Sequence, residues 1–144
     1  MNHNYRQDFI KTASGFSEKE IEKYHVNHII NLFDKIKNKD DEDIYELLVE
    51  LKSTLSEEKI NQKIYRKTYS KLTSIVESRF GYKEVGSMKN RYIGLGLLFG
   101  VSLGVSMSNF FTSSLPIFLS VGLTIGVALG SKKEKEAEDK DLLY

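Results

Sequence analysis

Apolar residues follow two different patterns along the 144 residues. Up to about residue 81 they recur every three or four positions among charged ones, which is the period of amphipathic helices. A short helix is expected over 4–13, carrying Phe9, Ile10 and Ala13 and stopped by Gly15. Ser17-Glu18-Lys19-Glu20 reads as a capping box, with Phe16 placed to staple onto Ile21. Ile21, Tyr24, Ile29, Leu32, Phe33 and Ile36 then predict one helix over about 18–38. Asn38-Lys39-Asp40 should break it, and Asp40 or Asp41 should cap a third helix with the face Ile44, Leu47, Leu48, Leu51 and Leu55. Ser56 is expected to cap a fourth, with Leu55 and Ile60 at staple spacing and a stripe of Ile64, Thr68, Leu72, Ile75, Val76 and Phe80 running to a stop at Gly81. The one proline, Pro116, falls outside this region, so the reading is all-α.

The second pattern is unbroken. Residues 92–131 contain no Asp, Glu, Lys, Arg or His, and this length suits two crossings of a bilayer core about 30 Å thick. A two-helix transmembrane hairpin is predicted, with spans at about 92–111 and 115–130 and a turn through Asn109 to Pro116, where Ser113 or Ser114 would cap the second helix. At about 1.5 Å per residue the second span reaches only about 24 Å, so the bilayer should thin around it.

Glycines give the most specific signal. Gly96, Gly100 and Gly104 recur every fourth residue in the first span, and Gly122, Gly126 and Gly130 do so in the second. Each set lies on one helical face, where missing side chains let another backbone approach. GLLFGVSLGV from Gly96 matches GLTIGVALGS from Gly122 at six of ten positions, an internal repeat. Folding at Ser113 would pair Gly96 with Gly130, Gly100 with Gly126 and Gly104 with Gly122 within one chain. The alternative is that these faces pair with a second copy, giving a homo-oligomer, or with another membrane protein.

The pattern RYIGLGLLFGVSLGVSMSN…LPIFLSVGLTIGVALGSKKEKE over 91–136 resembles the glycine-rich two-span hairpins of small membrane proteins in low-GC Gram-positive bacteria. That resemblance implies a bacterial plasma membrane and leaves activity open. Lys89 and Arg91 precede the first span, Lys132, Lys133 and Lys135 follow the second, and the turn is uncharged. Basic flanks stay on the cytoplasmic side, so both termini are expected there. The domains expected are a cytosolic helical bundle over 1–81, with three main helices and a short one, a linker over 82–91, the hairpin over 92–131, and a charged, disordered tail over 132–144.

Charge and chemistry narrow the functional classes. Cysteine is absent, which excludes disulfides, thiolate metal sites and a cysteine nucleophile. Glu22 and His25 have the Glu-x-x-His spacing of carboxylate-bridged metal bundles, with His28 one turn on, but no second such motif exists. No metal site and no cofactor are expected, and His25 and His28 should be partly buried near the bundle seam. No nucleophile and base can be assembled, so no enzyme is expected. Eight acidic residues against Lys52 alone lie over 40–58, and nine basic against Glu77 and Glu84 over 59–91. The third and fourth helices should therefore lie antiparallel and complement each other, and the basic one could also rest on anionic lipid. The acidic neighbour argues against nucleic acid as a partner. The expected partners are the lipid bilayer and another protein. The expected role is a membrane anchor for a helical protein-interaction module, in self-protection of the bacteriocin-immunity kind or in stress response, with a small oligomeric pore as the alternative.

Overall fold

The computed structural model describes residues 2–36, 41–110 and 112–144. Among them are seven α-helices: α1 Asn2–Ala13, α2 Glu18–Lys23, α3 Val26–Ile36, α4 Glu42–Leu55, α5 Gln62–Phe80, α6 Ser87–Ser106 and α7 Ser114–Glu138. The chain is all-α, and the nearest thing to a strand among the described residues is one isolated parallel bridge between Lys83 and Leu143. It divides into two compact units, residues 1–82 with Tyr144, and residues 83–143.

The first unit has a conventional apolar core. Phe9 and Ala13 of α1, Val26, Ile29, Leu32, Phe33 and Ile36 of α3, and Ile44, Leu47, Leu48, Leu51 and Leu55 of α4 are all buried. From α5 come Tyr65, Thr68, Leu72 and Val76. Spacings of three and four put these residues on one side of each helix, and their burial in a shared cluster is what keeps the short helices folded. The capping acids do what their positions suggest. Glu20 accepts from both the Ser17 amide (2.9 Å) and the Ser17 hydroxyl (2.7 Å), and these bonds hold its carboxyl below the usual range. Asp41 accepts from the Ile44 amide at 3.3 Å and so caps α4. The expected break at Asn38-Lys39-Asp40 lies outside the described residues.

Two expectations for this unit are corrected. The single helix expected over 18–38 is two, α2 and α3, parted at Tyr24 and His25. His25 takes a left-handed φ of 49°, and the Tyr24 carbonyl accepts the Tyr65 hydroxyl at 2.6 Å. The His25 ring stacks on Tyr69 at 4.7 Å, which compensates for a conformation that costs a non-glycine residue roughly 1–2 kcal/mol. Ser56, expected to begin the next helix, instead closes α4, its hydroxyl donating to the Lys52 carbonyl at 3.0 Å. Asn61 caps α5, accepting from the Ile64 amide at 3.3 Å. At the start of the α5 stripe Tyr65 takes the place expected for Ile64: Tyr65 is buried and Ile64 is 46% exposed.

Acidic α4 and basic α5 pack against each other, and their charges meet locally. Arg79 reaches Asp41 at 2.5 Å and also pairs with Asp43, Thr68 donates to Glu50 at 3.1 Å, and Lys71 lines a polar hollow with Asp43, Glu46 and Glu50.

In the second unit the tail expected to be disordered over 132–144 is ordered. Helix α7 runs on through Ser131 to Glu138, because the KKEKEAE stretch consists of good helix formers. Beyond it the Lys83 amide donates to the Leu142 carbonyl at 2.8 Å, and Tyr144, which belongs to the first unit, is 4% exposed. The linker is shorter than 82–91, since α6 already begins at Ser87 after Gly86 in the left-handed region.

Candidate membrane interface

Helices α6 and α7 lie antiparallel, joined by residues 107–113, and glycine sets how closely they approach. All six glycines of the repeat are buried. A methyl group at Gly96 would strike the Gly122 carbonyl, and one at Gly122 the Gly96 carbonyl. One at Gly100 would lie 2.5 Å from the Phe118 oxygen, and one at Gly126 2.6 Å from the Tyr92 oxygen. At Gly104 and Gly130 it would lie 2.8 Å from the Cα atoms of Leu115 and Lys89. These obstacles are backbone atoms, which cannot step aside as a side chain can.

The register differs from a fold about Ser113. Gly96 meets Gly122 and Gly126 rather than Gly130, Gly122 also meets Gly100, and Gly104 meets Leu115. The α7 partner is therefore one to two turns earlier than expected. The physical reason lies at the turn. Ser113 makes no side-chain cap, and Ser114 is buried with its hydroxyl donating to the Gly104 carbonyl at 2.8 Å. This bond fixes residue 114 beside 104 and moves the centre of the fold toward Asn109.

The far end of the pair is held by a residue that sequence reading passed over. Glu134 accepts from the Gly86 amide at 2.7 Å and the Lys89 amide at 3.2 Å, so a carboxylate from α7 caps the start of α6, where the helix dipole favours it. The signal was present, because 134 continues the series 122, 126, 130 by one more step of four.

The outer surface is the reverse of a soluble helix pair. Leu98 is 66% and Phe99 69% exposed, and Val105, Ile117, Ile125 and Leu129 are also exposed. An apolar groove of about 380 Å³ runs along one side between Leu95, Phe99 and Leu103 of α6 and Phe118, Val121 and Ile125 of α7. Hydroxyls on this surface are turned back into their own helices: Ser102 to the Leu98 carbonyl, Ser106 to Ser102, Ser120 to Pro116 and Thr124 to Ser120, all at 2.8–2.9 Å.

The expectation of two spans is met in part. Among the described residues, α7 is the one helix long and apolar enough to cross a membrane, with only 22% of its most apolar stretch buried within the protein. Helix α6 is 20 residues long, but it begins five residues before Tyr92 with Ser-Met-Lys-Asn-Arg and ends at Ser106 rather than 111. Its uncharged part falls short of the roughly 20 residues a crossing takes.

The histidines do not assemble the spacing they suggest. His25 and His28 are half-buried, their rings 5.6 Å apart, but Glu22 and His25 do not share one helical face because His25 leaves helical geometry.

No protein-family model, curated protein or solved structure matches this chain.

Proposed function

We propose that this is an integral membrane protein in which α7 crosses the bilayer, α6 enters beside it, and the pair anchors the helical first unit on the cytoplasmic side as a module that binds another protein. The observation that carries the reading is the inverted burial of the α6–α7 pair, glycine inside and Leu98, Phe99 and Ile117 outside. In water such a surface is unfavourable, because exposed apolar patches of this extent draw partners or membranes. In lipid, where side chains gain nothing by leaving the solvent, close backbone packing is the favoured way for helices to associate.

Lys89, Arg91, Lys132, Lys133 and Lys135 all lie at one end of the antiparallel pair, and the turn carries no charge. Basic residues stay cytoplasmic, so the turn faces outward in a bacterial plasma membrane. The short uncharged part of α6 is accommodated by Lys89 and Arg91 reaching back to the interface and by local thinning. Self-protection against a membrane-active peptide, or a stress response, suits a tethered protein-binding module. The pore reading has less support, because the hydroxyls of Ser102, Ser106, Ser120 and Thr124 are occupied within their own helices and leave little to line an aqueous path.

The test uses the absence of native cysteine. A chain with Ser113→Cys should stay in membranes through alkaline carbonate and react in intact cells with an impermeant maleimide. Release by carbonate, or labelling only after lysis, would overturn the anchor, and stoichiometric ion leakage from liposomes would favour the pore.

A further inference from the structure

Helix α5 turns one side to the core of the first unit and leaves the other bare. Opposite the buried row of Tyr65, Thr68, Leu72 and Val76 stand Lys63, Arg66, Lys67, Ser70 and Ser74, all exposed. Three other cations of this unit are matched: Arg6 with Asp34, Lys52 with Asp8, Arg79 with Asp41 and Asp43. Lys71 lies beside the acids of α4, and Lys59 shares its turn with Glu57 and Glu58. Lys63, Arg66 and Lys67 have no ion-pair partner among the described residues, and the one acid of α5 itself, Glu77, is at the far end of the face.

We propose that this face of α5 rests on the headgroups of anionic phospholipids, an inference that builds on the membrane anchor. Three points select lipid. The charge is positive and unneutralised over one and a half turns, which suits phosphate, and each cation held near an anionic surface favours contact roughly fivefold. The face contains no aromatic or large apolar anchor of the kind a protein interface needs at its centre; Ile64, 46% exposed, lies at its edge. Finally, α5 ends at Phe80 and α6 begins at Ser87, so the connecting residues span at most about 20 Å. A bilayer holding α6 is thus always within reach at high effective concentration, and three charges suffice where a free protein would need more.

The full chain, labelled at Ser74→Cys with a fluorophore and reconstituted in vesicles carrying a headgroup quencher, tests this. Vesicles of phosphatidylglycerol and phosphatidylcholine should quench the label, and pure phosphatidylcholine should not. Quenching should vanish in high salt and fall several-fold in Lys63→Gln/Arg66→Gln/Lys67→Gln, while a label at Ser53→Cys on α4 stays unquenched throughout. Equal quenching in both lipids, insensitivity to salt or to the triple variant, or protection of the label by added polyglutamate or duplex DNA instead of anionic lipid would overturn the inference. Carbonate extraction separates the two readings: a chain retained in the vesicles with an unquenched label sinks the lipid contact alone, whereas a chain released from them sinks the anchor.

Discussion

Leu51 and Leu72 of the first unit are 0% exposed, while Leu98 and Phe99 of the second are 66% and 69% exposed around an interior of glycine. The same residue type is placed oppositely in one chain, and on the proposed membrane anchor the difference reflects the solvent around each unit. A leucine leaving water gains about 1.5–3 kcal/mol. That gain builds the core of α1 to α5, and it disappears when the surroundings are themselves apolar. What then holds α6 to α7 is contact between backbones, for which the ideal side chain is none.

The strongest test of this comparison truncates one leucine in each unit. Leu72→Ala should destabilise the first unit by about 2–5 kcal/mol, the usual range for a buried leucine, whereas Leu98→Ala should change little in detergent or lipid. Denaturation followed by tyrosine near-UV signal reads the first unit almost alone, since Tyr92 is the one tyrosine assigned to the second. A large loss for Leu98→Ala would mean that its side chain is buried by something other than lipid.

Next in size is the effect of adding a side chain where none fits. Gly96→Leu meets the Gly122 carbonyl and should cost at least the roughly 1–3 kcal/mol of ordinary overpacking, read as faster hydrogen exchange along α6 and α7 in detergent. Gly94→Leu is the control, because nothing lies within 4 Å of a methyl there. If both variants exchange alike, the α6–α7 contact is not what protects these amides.

Legibility in the sequence follows the range of the interaction. The capping residues Ser17 and Asp41, the apolar face of α4 and the glycine faces of α6 and α7 depend on neighbours three or four positions away, and all were readable. What escaped depends on partners far along the chain. The helix break at His25 needs Tyr65 and Tyr69, forty or so residues on, and the α6–α7 register is set by one bond from Ser114 to Gly104. Glu134 was hidden differently: its place on the inner face was periodic, but a charged run reads as solvated until the helix is known to continue.

A smaller effect should come from the bond that parts α2 from α3. Burial, and then Tyr24 nearby, push the Tyr65 hydroxyl well above the ordinary tyrosine range, so it stays protonated and remains a donor to the Tyr24 carbonyl. Tyr65→Phe keeps the ring packing and removes that donor, which should cost about 1 kcal/mol by the same near-UV denaturation. No loss would show that ring packing alone maintains the break.

The smallest effect expected is one of pH, and it separates the units again, since the apolar stretch of α7 holds nothing that titrates. Burial raises the Asp41 carboxyl, but the Arg79 guanidinium and then the Ile44 amide outweigh it and hold the value below the ordinary one. A depressed carboxyl contributes stability that is complete above its unfolded value of about 3.9 and is lost as pH falls through the lower folded value. Asp41→Ala should therefore cost about 1 kcal/mol at neutral pH as a lost cap, and the gap to the parent chain should close in acid. Asp41→Asn keeps a capping oxygen but gives up the charge facing Arg79. It should lose less than Asp41→Ala at neutral pH, and hydrogen exchange in α6 and α7 should not distinguish the three chains. An Asp41→Asn as unstable as Asp41→Ala would transfer the role of Asp41 from the helix cap to its pairing with Arg79.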